Sequence, residues 1–150
     1  MNFKILKLKN MREIKFRGKV EGTNEWVFGS LIIEDGKYYI SWTFRDKFYG
    51  YKEVKQGTIG QYTGLKDKNK NEVYEGDILY IRDNNYVIHY SVQWGGFMCV
   101  SLKDYENFLA EGEPINEEIY RFDNDEAIVS TKIGDIYENI NNKFEKLLKP

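Results

Sequence analysis

The chain has 150 residues, 41% of them hydrophobic and 31% charged, with a formal net charge of −2. This composition fits a globular protein, one domain or two small lobes, long enough to bury a core without staples. One cysteine, Cys99, excludes an internal disulfide or a cysteine-rich metal framework, and no apolar run approaches the roughly 20 residues of a membrane-spanning helix.

Residues 1–10 interleave apolar and basic side chains: Phe3 and Ile5 flank Lys4, and Leu6 and Leu8 flank Lys7. They lack the long apolar stretch and small-residue cleavage site of a secretory signal. They read as an N-terminal extension able to form an edge strand, ahead of a domain over residues 11–150, and the expected compartment is the cytoplasm. Ile14, Phe16, Gly18 and Val20 then alternate with Lys15, Arg17 and Lys19, which predicts a half-buried strand with a basic outer row. Residues 26–33 form the next expected strand. Asp35-Gly36 is a favoured hairpin dipeptide, and residues 37–44 return with Tyr38, Ile40, Trp42 and Phe44 on one face. Residues 45–55 read as a loop or irregular edge, and residues 58–63 as a short strand.

The most specific stretch runs from Gly60 to Ile81. Gly60 and Gly64 bracket Tyr62, and Leu65 leads into Asp67, Asn69 and Asn71, which alternate with lysines. Asn and Asp bond their own backbone, so this is a polar reversal. Val73 and Tyr74 restart an extended segment. Glu75-Gly76-Asp77 is a tight corner, where glycine admits a positive φ and aspartate accepts from a nearby amide. Residues 78–82 follow as a strand covered on both faces.

Beyond it, Asp83-Asn84-Asn85 predicts a second turn, residues 86–94 an alternating strand, Gly95-Gly96 another turn and residues 97–102 a strand carrying Cys99 as a buried small hydrophobe. Asp104 is a candidate N-cap for a brief helix over 105–110, ended by Gly112 and Pro114. Residues 117–122 fit helix or strand. Residues 127–137 read as strand and 139–148 as a terminal helix with Ile140, Phe144, Leu147 and Leu148 on one stripe. The expected fold is therefore mainly β: short antiparallel strands in a partly open barrel or sandwich, with one or two short helices including a C-terminal one.

Three blocks of this sequence resemble the YopX family of bacteriophage and prophage proteins: residues 11–17 (MREIKFR), residues 60–81, and residues 133–139 (IGDIYEN). Asn is common in that family where Asp135 stands. Two features depart from its pattern: residues 1–10 precede the usual start, with Met11 an alternative one, and Ile140-Asn141-Asn142 stands where a proline often follows. The resemblance implies a β-rich fold and a phage context, and it carries no catalytic residue or cofactor.

The residues themselves argue against several chemistries. His89 is the only histidine, so a histidine-based triad or a His-rich metal site lacks partners. The Asp67, Asn69, Asn71 spacing superficially matches a calcium loop, but Glu72 stands where the loop needs Gly and Ile78 where it needs Glu. Glu75 and Asp77 are a carboxylate pair without a third group, which suits amide capping better than acid–base work. No cofactor or metal is expected. Aromatic content of 16%, with 12 tyrosines, follows from β propensity or from a stacking platform for bases or sugars.

Charge is uneven: residues 1–80 hold 15 basic against 11 acidic side chains, and residues 81–150 hold 7 against 13. The resulting expectation is a non-enzymatic module acting through protein contacts, with a host or phage partner or as a homo-oligomer. The alternative is a nucleic-acid binder using Arg12, Lys15, Arg17 and Lys19 with Trp26 and Trp42 nearby. A small hydrolase or metal-dependent enzyme is the third reading.

Overall fold

A computed structural model describes Asn2, residues 11–111 and residues 119–138. The first part of the chain forms a six-stranded antiparallel sheet from β1 (Phe16–Lys19), β2 (Trp26–Glu34), β3 (Lys37–Phe44), β4 (Lys47–Glu53), β5 (Gly60–Lys66) and β6 (Glu72–Tyr74), in the order β4-β3-β2-β1-β5-β6. The second part forms a five-stranded antiparallel sheet from β7 (Asp77–Ile81), β8 (Asn84–Ser91), β9 (Gly96–Ser101), β10 (Ile119–Arg121) and β11 (Thr131–Asp135), in the order β10-β9-β8-β7-β11. Two short helices, α1 (Tyr105–Glu111) and α2 (Asn124–Ala127), pack on the second sheet. Among the described residues neither sheet closes into a barrel, and the protein is a partly open β sandwich.

Turn chemistry explains most of the connections. Asp35 and Gly36 both take positive φ between β2 and β3, as a two-residue hairpin requires. Arg82 and Asp83 do the same between β7 and β8, so this turn lies earlier than the expected Asp83-Asn84-Asn85, and both asparagines belong to β8. Asp123 caps α2, accepting from the amides of Asp125 and Glu126.

The core follows from alternation in the second sheet, which is apolar on both faces. Leu79, Ile81, Ile88, Phe97 and Cys99 point to one side, where Val73 and Leu65 of the first sheet and Phe122 and Ala127 beside α2 cover them. Ile78, Val87 and Val100 point to the other side, under Tyr105 and Phe108 of α1. The first sheet is thinner: of the residues in β2, β3 and β4, only Ile40 is fully buried. Its β2 is shared, its first half pairing β1 and its second half β3. A single bridge between Val20 and Val54 folds the end of β4 back towards the end of β1.

Three readings are settled. For residues 45–55 the irregular edge holds rather than the loop: they are mostly β4, an edge strand with a register shift, and Arg45 and Asp46 adopt left-handed backbone and close the hairpin without glycine or asparagine. Residues 127–137 are strand only over Thr131–Asp135, because Asp123 starts α2, which runs to Ala127. Of the two readings for residues 117–122, the strand holds at β10, where Ile119, Tyr120 and Arg121 pair with β9. The expected C-terminal helix and, Asn2 apart, the N-terminal extension lie outside the described residues.

Candidate functional site

The diagnostic stretch forms the joint between the sheets. Its loop is organised by Asp67, which is 2% exposed. Asp67 Oδ1 accepts from the amides of Asn69 and Asn71 at 2.9 Å each. Its Oδ2 accepts from Asn71 Nδ2 at 3.1 Å and from the Lys132 amide of β11 at 3.0 Å. Burial alone raises the carboxyl's pKa, yet these four donors hold it below the ordinary aspartate value. The loop is thereby fixed onto β11, and the Lys68 amide adds a bond to the Ser130 carbonyl.

The corner after β6 carries the second anchor. Asp77 is fully buried. Its Oδ2 accepts from the Tyr74 amide at 2.8 Å and meets Lys132 Nζ at 2.9 Å, while its Oδ1 lies 2.7 Å from Arg17 Nη1. Burial pushes the Asp77 carboxyl upward against the pull of Arg17 and Lys132. The Arg17 guanidinium also donates to the Glu75 carbonyl at 3.2 Å and lies over the rings of Trp26, at 4.4 Å, and Tyr74, at 5.1 Å. Arg17 Nε makes no hydrogen bond among the described residues. Gly76 has φ +85°, and a Cβ there would stand 2.6 Å from the Tyr137 ring. The Ile136 amide closes the corner by donating to the Gly76 carbonyl. The Glu75 carboxylate accepts from the Tyr90 amide at 3.4 Å, and burial moves its pKa upward.

The basic row on β1 therefore does not face solvent. Arg17 is 2% exposed and Lys19 7%. Alternation gives two faces of a strand but not which one is covered; the backbone carbonyls that Arg17 and Lys19 bond lie 58 and 118 residues away. Lys19 Nζ donates to the Tyr137 carbonyl at 3.3 Å beside Trp26. Lys15 Nζ binds Glu72 at 2.6 Å and Glu13 at 3.1 Å, over the Tyr62 ring. Arg12 is exposed, with its stem against Gly64. Trp26 joins this cluster, stacked edge-on against Tyr137. Trp42 does not; it sits half-buried on β3, packed over Gly50. Of the remaining motif residues, Gly60 pairs with Arg17 at the start of β5, and Tyr62 and Tyr74 pack their rings 5.3 Å apart. Leu65 lies against the core.

Lys132, Glu72 and Tyr137 complete the cluster, and none stood out in the sequence as a site residue. Tyr137 lies in the third family-like block, the one signal that pointed to it; Lys132 carried none. The chemistry available to the cluster is cohesive. Asp77 is shut from solvent, with Oδ2 hydrogen-bonded to the Tyr74 amide and Oδ1 facing only Arg17 as an ion pair, so it is not placed to move a proton to a ligand. His89 packs edge-on against Phe108, ring centroids 4.8 Å apart. Among the described residues no group of three His, Cys, Asp or Glu side chains converges as a metal site needs, and no helix is long and apolar enough to cross a membrane.

Two surfaces remain. The outer hairpin presents Phe44, Phe48, Tyr49 and Tyr51 between 57% and 69% exposed. A bulge opposite Trp42 and Thr43 shifts the β4 register, so Phe48 and Tyr51 approach each other within 6.3 Å while Tyr49 meets Phe44 at 6.0 Å. A cleft of about 480 Å³ opens at the joint between Phe28, Lys66, Lys70 and Lys132.

No curated protein matches the chain in sequence. A family model described as YopX protein matches residues 15–141. That match contains the loop fixed by Asp67, the corner fixed by Asp77 and the β11 segment that meets both, so the chain belongs to the YopX family.

Proposed function

We propose that this chain is a non-enzymatic protein-contact module of a bacteriophage or prophage, acting in the cytoplasm of the bacterial host. The carrying observation is the outer edge of the first sheet. Four large rings on one hairpin are more than half exposed, and among the described residues no strand pairs with the outer side of Lys47–Lys52. A bare edge strand is a template for a partner's extended segment, and a protein with no such partner usually blunts it. Lys47 and Lys52 are modest protection beside Phe48, Tyr49 and Tyr51. The convergent acids support the non-enzymatic part, because they are engaged in holding the sheets together.

The test is affinity capture from infected host cells, with and without nuclease, by the wild type and by a Phe48→Ser, Tyr49→Ser, Tyr51→Ser variant. The expected result is a nuclease-resistant protein partner that the variant loses. Sedimentation of the purified chain distinguishes a second copy from a foreign partner. Capture that disappears with nuclease, or persists in the variant, overturns the reading.

A further inference from the structure

We infer that the cleft at the joint of the two sheets is a site for a nucleoside phosphate, independent of the β4 surface. Its volume of about 480 Å³ falls in the range of small-ligand sites, roughly 300–1,000 Å³. Phe28 forms one wall and is 47% exposed, with its ring tilted against the buried Tyr74 at 5.5 Å. Such a half-open ring, braced from behind, is a platform on which a base can stack.

The lining is also cationic. Lys66 and Lys70 line the cleft, and neither side chain makes a hydrogen bond or ion pair among the described residues. Lys132 is present too, but its ammonium already serves Asp77. Among the described residues the only lining carboxylate, Glu72, is occupied by Lys15 at 2.6 Å and the Tyr74 hydroxyl at 2.9 Å. A positive wall on a chain of net charge −2 is thus a local feature rather than a property of the whole surface.

These two ammonium groups, of which Lys66 also lies in the field of Glu72, ride on a stiff support. Asp67 lies between them in sequence and pins the loop with four hydrogen bonds, so Lys66 and Lys70 leave a preorganised backbone. A second opening of about 300 Å³ beside the same loop includes Lys66, Lys68 and Lys70 in its lining. The phosphate of the ligand meets Lys66 and Lys70, its base lies on Phe28, and further phosphates of a strand continue past Lys68. The same chemistry comes from a free nucleotide or from single-stranded nucleic acid, and the test separates them.

The full-length chain is titrated with AMP, with ribose 5-phosphate, and with a fluorescent single-stranded oligonucleotide, each at low and at moderate salt. Binding of AMP and the oligonucleotide with similar affinity identifies a free nucleotide as the source. Much tighter, steeply salt-dependent binding of the oligonucleotide identifies a strand. In either case Lys66→Ala/Lys70→Ala, at two exposed positions, weakens binding about tenfold or more while leaving thermal unfolding unchanged. Phe28→Ala removes the preference for AMP over ribose 5-phosphate. Absence of binding by both AMP and the oligonucleotide at low salt, or affinity unaltered in the double-lysine variant, overturns the site.

Discussion

Asp67 spends both carboxylate oxygens on the backbone and side chain of its own loop and on one amide of β11. Replacing it with Ala strands several donors in a place that is almost wholly buried, and the expected loss is about 3 kcal/mol in chemical denaturation. Its pKa is lowered in the fold, so its stabilisation is complete above the unfolded-chain value of about 3.9 and fades as pH falls through the folded value. Glu72 is also lowered despite burial because Lys15 and Tyr74 bond it, so its contribution too fades as pH falls through its folded value. Asp67→Asn should therefore flatten part, not all, of the loss of stability below about pH 4. A profile identical to wild type would refute this assignment. Arg17 is the contrasting case. Arg17→Met leaves Asp77 buried with only Lys132 opposite, which costs about 3–5 kcal/mol. Arg17→Met/Asp77→Asn keeps an acceptor for the Tyr74 amide without the charge and should recover much of that loss. If Arg17→Met alone costs under about 1 kcal/mol, the ion pair does not hold the joint.

At the level of elements, legibility tracked distance along the chain. The Asp67 loop, the Gly76 corner and the Asp35-Gly36 hairpin were readable because the turn itself is shaped in each case by residues a few positions apart: Asp67 with the Asn69 and Asn71 amides, Asp77 with the Tyr74 amide, and Asp35 with Gly36. The start of α1 directly after Asp104 was readable for the same reason. The orientation of β1 was not, since alternation of Lys15, Arg17 and Lys19 is the same whether the row faces water or Asp77. Nor was the hairpin into β4, readable only as loop or irregular edge, because Arg45 and Asp46 reach left-handed backbone without the residues that usually announce it. The corner offers a controlled test. Gly76 and Gly36 have φ of +85° and +75°, so alanine at either carries the left-handed penalty of about 1–2 kcal/mol. Only at Gly76 does the new Cβ meet a neighbour, the Tyr137 ring; at Gly36 nothing lies within 4 Å. Gly76→Ala should lower the thermal midpoint clearly more than Gly36→Ala. Equal shifts would mean that Tyr137 is not packed on the corner.

Across the whole molecule, apolar burial is concentrated on the two faces of the second sheet; among the described residues of the first sheet only Val73 and Leu65 join that core, and polar contacts hold β1 to the corner. These two kinds of attachment differ in reach. Arg17, Lys19 and Trp26 tie β1 and the near end of β2 directly to the corner and to Tyr137, so this part of the first sheet should open only with the core. The β3–β4 hairpin lies two strands further out, and its last turn of chain is fastened by the Val20–Val54 bridge. Regions with few buried contacts open locally, at free energies well below global unfolding. Native-state hydrogen exchange should therefore rank the amides. Those of β8 bonded to β7 and β9 exchange only through global opening. Those of β1 follow them closely. Those of β4 bonded to β3 exchange much faster, through an opening that depends weakly on denaturant. The ordering fails if β4 amides are protected as strongly as those of β8. It fails in the other direction if β1 opens with β4, because the first sheet would then detach as a unit and the Arg17–Asp77 pair would not bind the two halves of the sandwich together.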